Sequence, residues 1–227
     1  METESRERYT KEEFHCLEKH IEKHFGKIGT VLHEIASPDI HVDIAVIEPA
    51  KKRLFFFNPR PYYTLLTMGM GARRMAVPET FREKKLERAE LLITLPPGWK
   101  IGDADEQWHW PVRWLKFLAR FPLNENTWLG WGHTVPNGEP FADNTKLSGM
   151  LLEMPWFFGA DSQRCHLPGG GEVNFYQLVP LYDEEMEFKV RNGLDALAER
   201  FPDTFDMVVN ITRENVCALR PDHGQGP

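Results

Sequence analysis

Residues 90–122 constrain this chain more than any other stretch. They read ELLITLPPGW (90–99), a polar gap, then WHWPVRWLKFLARFP (108–122). The first block alternates like a half-buried strand and stops at Pro96-Pro97-Gly98. The second has the apolar spacing of a helix, and Pro111 suits a first helical position, which places Trp110 at the N-cap. All seven tryptophans (Trp99, Trp108, Trp110, Trp114, Trp128, Trp131 and Trp156) fall between positions 99 and 156. Such a load of rigid aromatic surface builds a specific core or a specific binding face.

Other segments supply the frame. Thr10 and Glu13 form a capping box, followed by Phe14, Leu17, Ile21 and Phe25 at helical spacing and by Gly26 as a stop. Strands are predicted at 31–35, 40–46, 54–57, 62–68, 89–95, 127–135, 145–153 and 172–180. In the second of these Ile40, Val42, Ile44 and Val46 share one face. Gly159 to Gly171 reads as a loop. A last helix is predicted from Asp183 to Phe201, with Met186, Val190, Leu194, Leu197 and Phe201 as its buried stripe and Lys189 outside it. Helices at both ends with strands between them predict an α+β fold. Its sheet is mixed and largely antiparallel, flanked by the two terminal helices and a Trp-rich central helix. One domain is expected over 10–219, with tails at 1–9 and 220–227.

Charge and composition narrow the function. The net charge of −7 argues against nucleic acid, whose phosphates need a basic surface. No apolar run approaches the ~18–20 residues of a membrane helix. No signal peptide is evident, and the three cysteines (Cys16, Cys165 and Cys217) lack CxxC spacing. They read as reduced thiols of a cytoplasmic protein.

Catalytic chemistry finds little purchase. The four serines are outside any GxSxG. Cys165 adjoins His166 and reads as a surface loop thiol. Cys16, His20 and His24 recur every fourth residue on the first helix, a metal-capable spacing that reads as a solvated face away from the apolar stripe. His41 and Asp43 share a strand face, either as an acid–base pair or as the exposed polar side of an amphipathic strand. No metal, no cofactor and no catalytic residue is assigned. Binding candidates are clearer. Tyr63, Met70, Arg73 and Arg74 surround the Gly69–Gly71 turn, where the arginines could grip an acidic partner. Trp108 and Trp110 are candidates both for core and for a partner anchor.

Six segments in order resemble the suppressor-of-fused domain family, in its bacterial form. They are IHVDIAVIEP (40–49), YYTLLTMGMGARRM (62–75), ELLITLPPGW, WHWPVRWLKFLARFP, GMLLEMP (149–155) and NFYQLVPLYDEEMEFK (174–189). The resemblance implies a non-enzymatic protein that binds and sequesters a partner. In the eukaryotic namesake the partner is a peptide held as an added strand between two domains; some bacterial relatives are proposed as immunity proteins against toxins. Ala72-Arg73-Arg74 stands where the eukaryotic sequence is acidic, so the resemblance carries over protein binding and not the same ligand. The expected partner is a protein or peptide, with a toxin as one candidate. The rival classes are a small hydrolase using a metal or His41 and Asp43, and a structural subunit of a larger assembly.

Overall fold

The computed structural model describes residues 8–35, 37, 39–49 and 61–218. The strand expected at 54–57 lies outside them. Among the described residues one mixed sheet organises the chain. Its strands are β1 (Thr30–Leu32), β2 (Asp43–Ile47), β3 (Tyr63–Met68), β4 (Ala89–Leu95), β5 (Thr134–Pro136), β6 (Gly149–Glu153), β7 (Arg164–His166) and β8 (Glu172–Leu181). The order is β1-β2-β3-β4-β8-β6-β5, with β7 beside the first residues of β8. Every pairing is antiparallel except β4 with β8, which runs parallel with Ala89 opposite Asn174. The α+β class and the largely antiparallel sheet expected from the sequence are what the fold has. β8 is the hub: β4 lies along one side, β7 and β6 along the other.

Both faces of the sheet are covered, so β2, β3, β4 and β8 are buried almost throughout. Helix α1 (Lys11–His24) lies on one face. Its Thr10/Glu13 capping box is present, and Leu17, Ile21 and the capping Phe25 pack against Ala45, Leu66, Leu92 and Phe175. Phe14, predicted in that stripe, is exposed. Tyr9 is no tail residue, because its hydroxyl donates to Glu90 at 2.8 Å.

Helix α2 (Glu106–Asn124) covers the other face. It starts five residues before Pro111, not at it. Asp105 is the N-cap, accepting from the Gln107 N–H, and Glu106 sits in the first turn where the dipole favours an acid. Pro111 lies in the second turn and withholds the one N–H that would have met the Gln107 carbonyl. Trp110 is fully buried. It stacks on Phe141 at a centroid distance of 4.8 Å and meets Trp99 edge-on at 5.9 Å. Trp99, Trp110 and Trp114 are thus core, whereas Trp108 and Trp128 are half-buried and Trp131 and Trp156 are exposed.

The last helix is two. α3 (Asp183–Asn192) ends at Gly193, whose φ of 94° no other residue adopts comfortably, and α4 (Leu194–Ala198) leaves in a new direction. The break rotates the expected stripe. Val190 is 74% exposed, Leu194 is half-buried, and the half-buried Lys189 donates its Nζ to the Gly132 carbonyl. Phe188, off the stripe, packs under the Arg200 guanidinium at 3.9 Å. Leu197 is fully buried with Leu151, Val179 and Leu181. Leu197→Ala is expected to cost about 2–3 kcal/mol and Val190→Ala under about 0.5 kcal/mol in urea titrations. Equal costs would put the buried face of α4 elsewhere.

Beyond Leu92 and Gln177, β4 and β8 separate. The segment after α4 fills the fork. Val208 bridges Thr94 in parallel, and the Val209 N–H reaches the Thr94 carbonyl at 2.9 Å. Pro180 faces this gap with no N–H to satisfy, and its carbonyl accepts Arg213 at 2.9 Å. Arg213 also clamps the buried carboxylate of Glu185, at 2.6 and 2.5 Å.

Candidate protein-binding site

One end of the sheet holds most of the candidate chemistry. There β4 and β8 begin while β3 finishes. β3 leads into Gly69-Met70-Gly71 and a short 3₁₀ turn at Met70–Ala72. Beneath this turn lies Glu90, on the α1 face of β4 and fully buried. Its Oε1 accepts the Gly69 N–H (2.9 Å), the Gly71 N–H (3.1 Å) and the Tyr9 hydroxyl (2.8 Å), and its Oε2 accepts Thr67 Oγ1 (2.6 Å). Burial pushes the carboxyl up, the four donors pull it back, and the balance leaves it at about 7. Neither glycine admits a side chain. A Cβ on Gly69 (φ 135°) would meet the His41 carbonyl at 2.0 Å, and one on Gly71 would meet the Tyr9 hydroxyl at 2.2 Å.

The turn so fixed projects two exposed residues, Arg73 and Arg74. With Met70, Ile40, Ala119 and Pro122 they rim a small hollow between the turn and α2. Arg74 pairs with Glu87 at 2.8 Å, an exposed contact of the kind worth under about 1 kcal/mol, so a partner carboxylate can compete for it. Met70 is buried and supports the hollow from below. Tyr63 is not with them. It starts β3, about 17 Å away by strand rise, at the opposite end of the sheet. Trp108 belongs to that far end too. It is half-buried, edge-on to Trp99 at 5.4 Å, with Lys100 over its ring at 5.1 Å. Trp110 is inside the core and unavailable for contact. The structure therefore splits the six sequence candidates into two ends and a buried pair.

A feature that the sequence reading missed lies at the end of β6, where Glu153 is opposite Gln177 and so level with Leu92, midway along β4. Trp131 and Trp156, 50% and 53% exposed, both donate their indole N–H to Glu153 Oε2 at 3.0 Å. One carboxylate at the end of β6 thus holds two solvent-facing indoles, with the exposed Phe157 beside them. The 127–129 segment leads from the arginines toward this patch: Ala76 donates to the Thr127 carbonyl, and the Leu129 N–H faces Met75 Sδ. The tryptophan content was the available signal; which two stay exposed depends on the long-range closure of β6 on β8.

His41 and Asp43 do come together, at 3.1 Å, and Ser37 Oγ lies 3.0 Å from His41 Nδ1. The sequence did not point to Ser37. A serine nucleophile must pass its proton to histidine. Here Ser37 donates to Glu34 Oε2 at 2.5 Å and is 3% exposed. Arg120 on α2 grips both Glu34 oxygens at 2.7 Å and Asp39 at 3.1 Å, which ties this network to α2 as a structural clamp. Burial alone would raise Glu34, but the Ser37, Val42 and Arg120 donors outweigh it and hold the carboxyl below its usual range. Cys16, His20 and His24 are not on a solvated face. His20 stacks on Phe175 at 4.9 Å and bonds the Ser162 carbonyl at 3.1 Å; Cys16 faces β7. Cys165 is buried, not a surface thiol. No three His, Cys, Asp or Glu residues among the described residues are grouped to hold a metal, and no described helix is long and apolar enough to cross a membrane.

The β4–β8 hub, the glycine turn and the tryptophan helix all lie within residues 38–214, which match the family model "Suppressor of fused protein (SUFU)". The chain belongs to the suppressor of fused family. Its sequence is 26% identical over 211 residues to "Uncharacterized protein UU111" of Ureaplasma parvum serovar 3 (strain ATCC 700970), covering 92% of this chain and 97% of that one. The fold is that of a suppressor of fused homolog from Neisseria gonorrhoeae FA 1090, with TM-score 0.61, 16% identity and coverage of 92% and 98%. It is also that of a chain in the Sufu–Fu complex, with TM-score 0.64, 15% identity and 93% of each chain covered. Against Drosophila Suppressor of Fused the TM-score is 0.61 at 15% identity, and this chain spans 54% of that protein's length.

Proposed function

We propose that this chain is a non-catalytic protein-binding domain that sequesters a protein partner in the cytoplasm. The observation that carries the reading is the pair of half-exposed indoles, Trp131 and Trp156, fixed on one carboxylate. Exposed tryptophan held in one rotamer costs little entropy to dock, and tryptophan is among the residues that dominate interface energy. Arg73 and Arg74, on the turn locked by Glu90, supply positive charge for an acidic partner surface. Local charge steers docking even though the whole chain is acidic. Family membership supports the mode, since a family member has been crystallised in a Sufu–Fu complex. A toxin neutralised by capture, as in an immunity pair, is the partner class to test first. The buried Ser37 and its proton donated to Glu34 favour this reading over a hydrolase.

Capture experiments from the native cell test it. Arg73→Glu with Arg74→Glu, and separately Trp131→Ala with Trp156→Ala, should each cut partner recovery at least about tenfold, the effect of losing roughly 1.4 kcal/mol. All four side chains are exposed or half-exposed, so the melting midpoint should shift little. Undiminished recovery by both double variants would remove the arginine turn and the Trp131–Trp156 pair as the binding face.

A further inference from the structure

Two thiols that are 149 positions apart in sequence meet on the α1 face. Cys16 Sγ lies 3.9 Å from Cys165 Sγ, a van der Waals contact between free sulfurs. The fold holds both backbones firmly. Cys16 precedes Leu17 and is followed a turn later by Ile21, both fully buried. Cys165 is the middle residue of β7 and pairs with Val173 on the hub strand. A disulfide requires sulfurs about 2.05 Å apart, and the contact already in place leaves less than about 2 Å to close by side-chain rotation.

The two thiols differ in access. Cys165 is buried. Cys16 is half-buried and opens on a hollow of about 560 Å³ between α1 and residues 160–166. Lys19, Lys23 and Arg164 line this hollow against Asp161 as its acid. Glu172 occupies part of the charge of Arg164 and of His166, at 3.4 and 3.5 Å, and leaves the two lysines facing the opening. Burial and the neighbouring Cys16 push the Cys165 thiol up to about 12, so Cys16 is the thiol that reacts first.

We propose that Cys16 and Cys165 form a reversible intramolecular disulfide, made by exchange with an anionic low-molecular-weight disulfide drawn into the basic hollow. The Cys16 thiolate attacks one sulfur of the small disulfide. A Cys16 mixed disulfide forms, and one small thiolate leaves, taking the proton that Cys16 gave up. Loss of the Cys16 charge then removes one of the influences that kept Cys165 protonated. The Cys165 thiolate attacks Cys16 Sγ and expels the second small thiol, which takes the second proton. Two protein thiols are oxidised and one small disulfide is reduced to two thiols. The product ties α1 to the edge strand β7 and closes a very long loop, which restricts the unfolded chain most.

The test uses the full chain, fully reduced, with glutathione disulfide as the probe. Free thiols should fall from three to one per chain with no cross-link between chains. Proteolytic mapping under non-reducing conditions should join the Cys16 and Cys165 peptides. The melting midpoint should rise by roughly 5–10 °C and return on reduction. Cys165→Ser should stop at a mixed disulfide on Cys16; Cys16→Ser should leave Cys165 unreacted. Lys19→Gln with Lys23→Gln should slow the reaction with glutathione disulfide about three- to tenfold and leave the rate with uncharged hydroxyethyl disulfide unchanged. Three thiols remaining in folded wild type, a wild-type mixed disulfide that never closes, or a cross-link through Cys217 would overturn the disulfide. Equal slowing with both probes would overturn the role of the lysines.

Discussion

Replacing Glu90 with leucine will cost the fold roughly 4–6 kcal/mol, because it strands two buried backbone N–H groups and two hydroxyls at once. Glu90→Gln will cost under about 1.5 kcal/mol. The three donors that converge on Oε1 (Tyr9, Gly69 and Gly71) can stay on the amide oxygen. The amide nitrogen then faces Thr67 Oγ1, which can turn its own proton toward the Leu91 carbonyl at 3.4 Å. Glu90→Gln also removes a titration. The native carboxyl keeps its proton up to about 7, whereas an unfolded one releases it near 4.5. Between those values the folded state binds more protons, so this group's contribution is full below 4.5 and is lost as pH rises through 7. Its size is roughly 3 kcal/mol. His20 acts in the opposite sense. Burial lowers it from 6.5 to about 4, so its share is lost as pH falls through that window. The informative quantity is therefore the difference between wild type and Glu90→Gln in denaturant titrations from pH 4 to 8. Wild type should lose ground steadily toward pH 7 and then run level. A flat difference would mean that Glu90 is ionised throughout, with its four donors outweighing burial.

The second large effect is at the other end of the sheet. Arg213→Ala should cost roughly 3–5 kcal/mol, because it leaves the Glu185 carboxylate buried without its counter-ion. The lost contacts go further: the Pro180 carbonyl loses its donor, and the guanidinium no longer lies over Tyr182 and Phe201 at 4.9 and 5.2 Å. Glu185→Gln with Arg213→Met should recover much of the loss, because the pair is then replaced and not broken. If the double variant is no more stable than Arg213→Ala, the packing of the 206–216 segment, and not charge, holds the fork closed. Hydrogen exchange at Val209, whose N–H bonds Thr94, reports directly on that fork.

What could be read from the sequence follows the range of the interactions involved. α1 was legible because a capping box and a stop lie within one short segment. β4 and β8 were legible because their apolar runs end at Pro96-Pro97 and at Tyr182-Asp183. The start of α2 was misread because Pro111 drew attention from Asp105, which carries the local N-cap signal with Glu106 behind it. Gly193 in the last helix was equally visible, yet the apolar spacing runs through it, and only packing decides that the chain breaks there. β7 was hidden in a glycine-rich loop because three residues carry no periodicity; it exists because β8 offers an open side. Glu90 alternates with Leu91 and so looked like the wet side of a half-buried strand. Its donors come from the turn after β3 and from Tyr9, and α1 roofs that face. The glycine turn and the arginines were found by composition, whereas the Trp131–Trp156 pair and the Cys16–Cys165 contact needed the closed sheet.

The position of the hub strand also dictates the order in which the fold can assemble. The ribosome releases β1 to β4 first, and they can form an antiparallel array by neighbour pairing. β5 and β6 can form their own hairpin. The two parts have no shared strand until residues 172–181 arrive, and joining them closes the 76-residue excursion between β4 and β8 into a parallel pair, a slow contact to find. Until then the inner edges of β4 and β6 stay unpaired, open to a strand from another molecule. A late central strand thus leaves two unpaired strand edges on the growing chain until residues 172–181 emerge, the interval in which a chaperone would shield it.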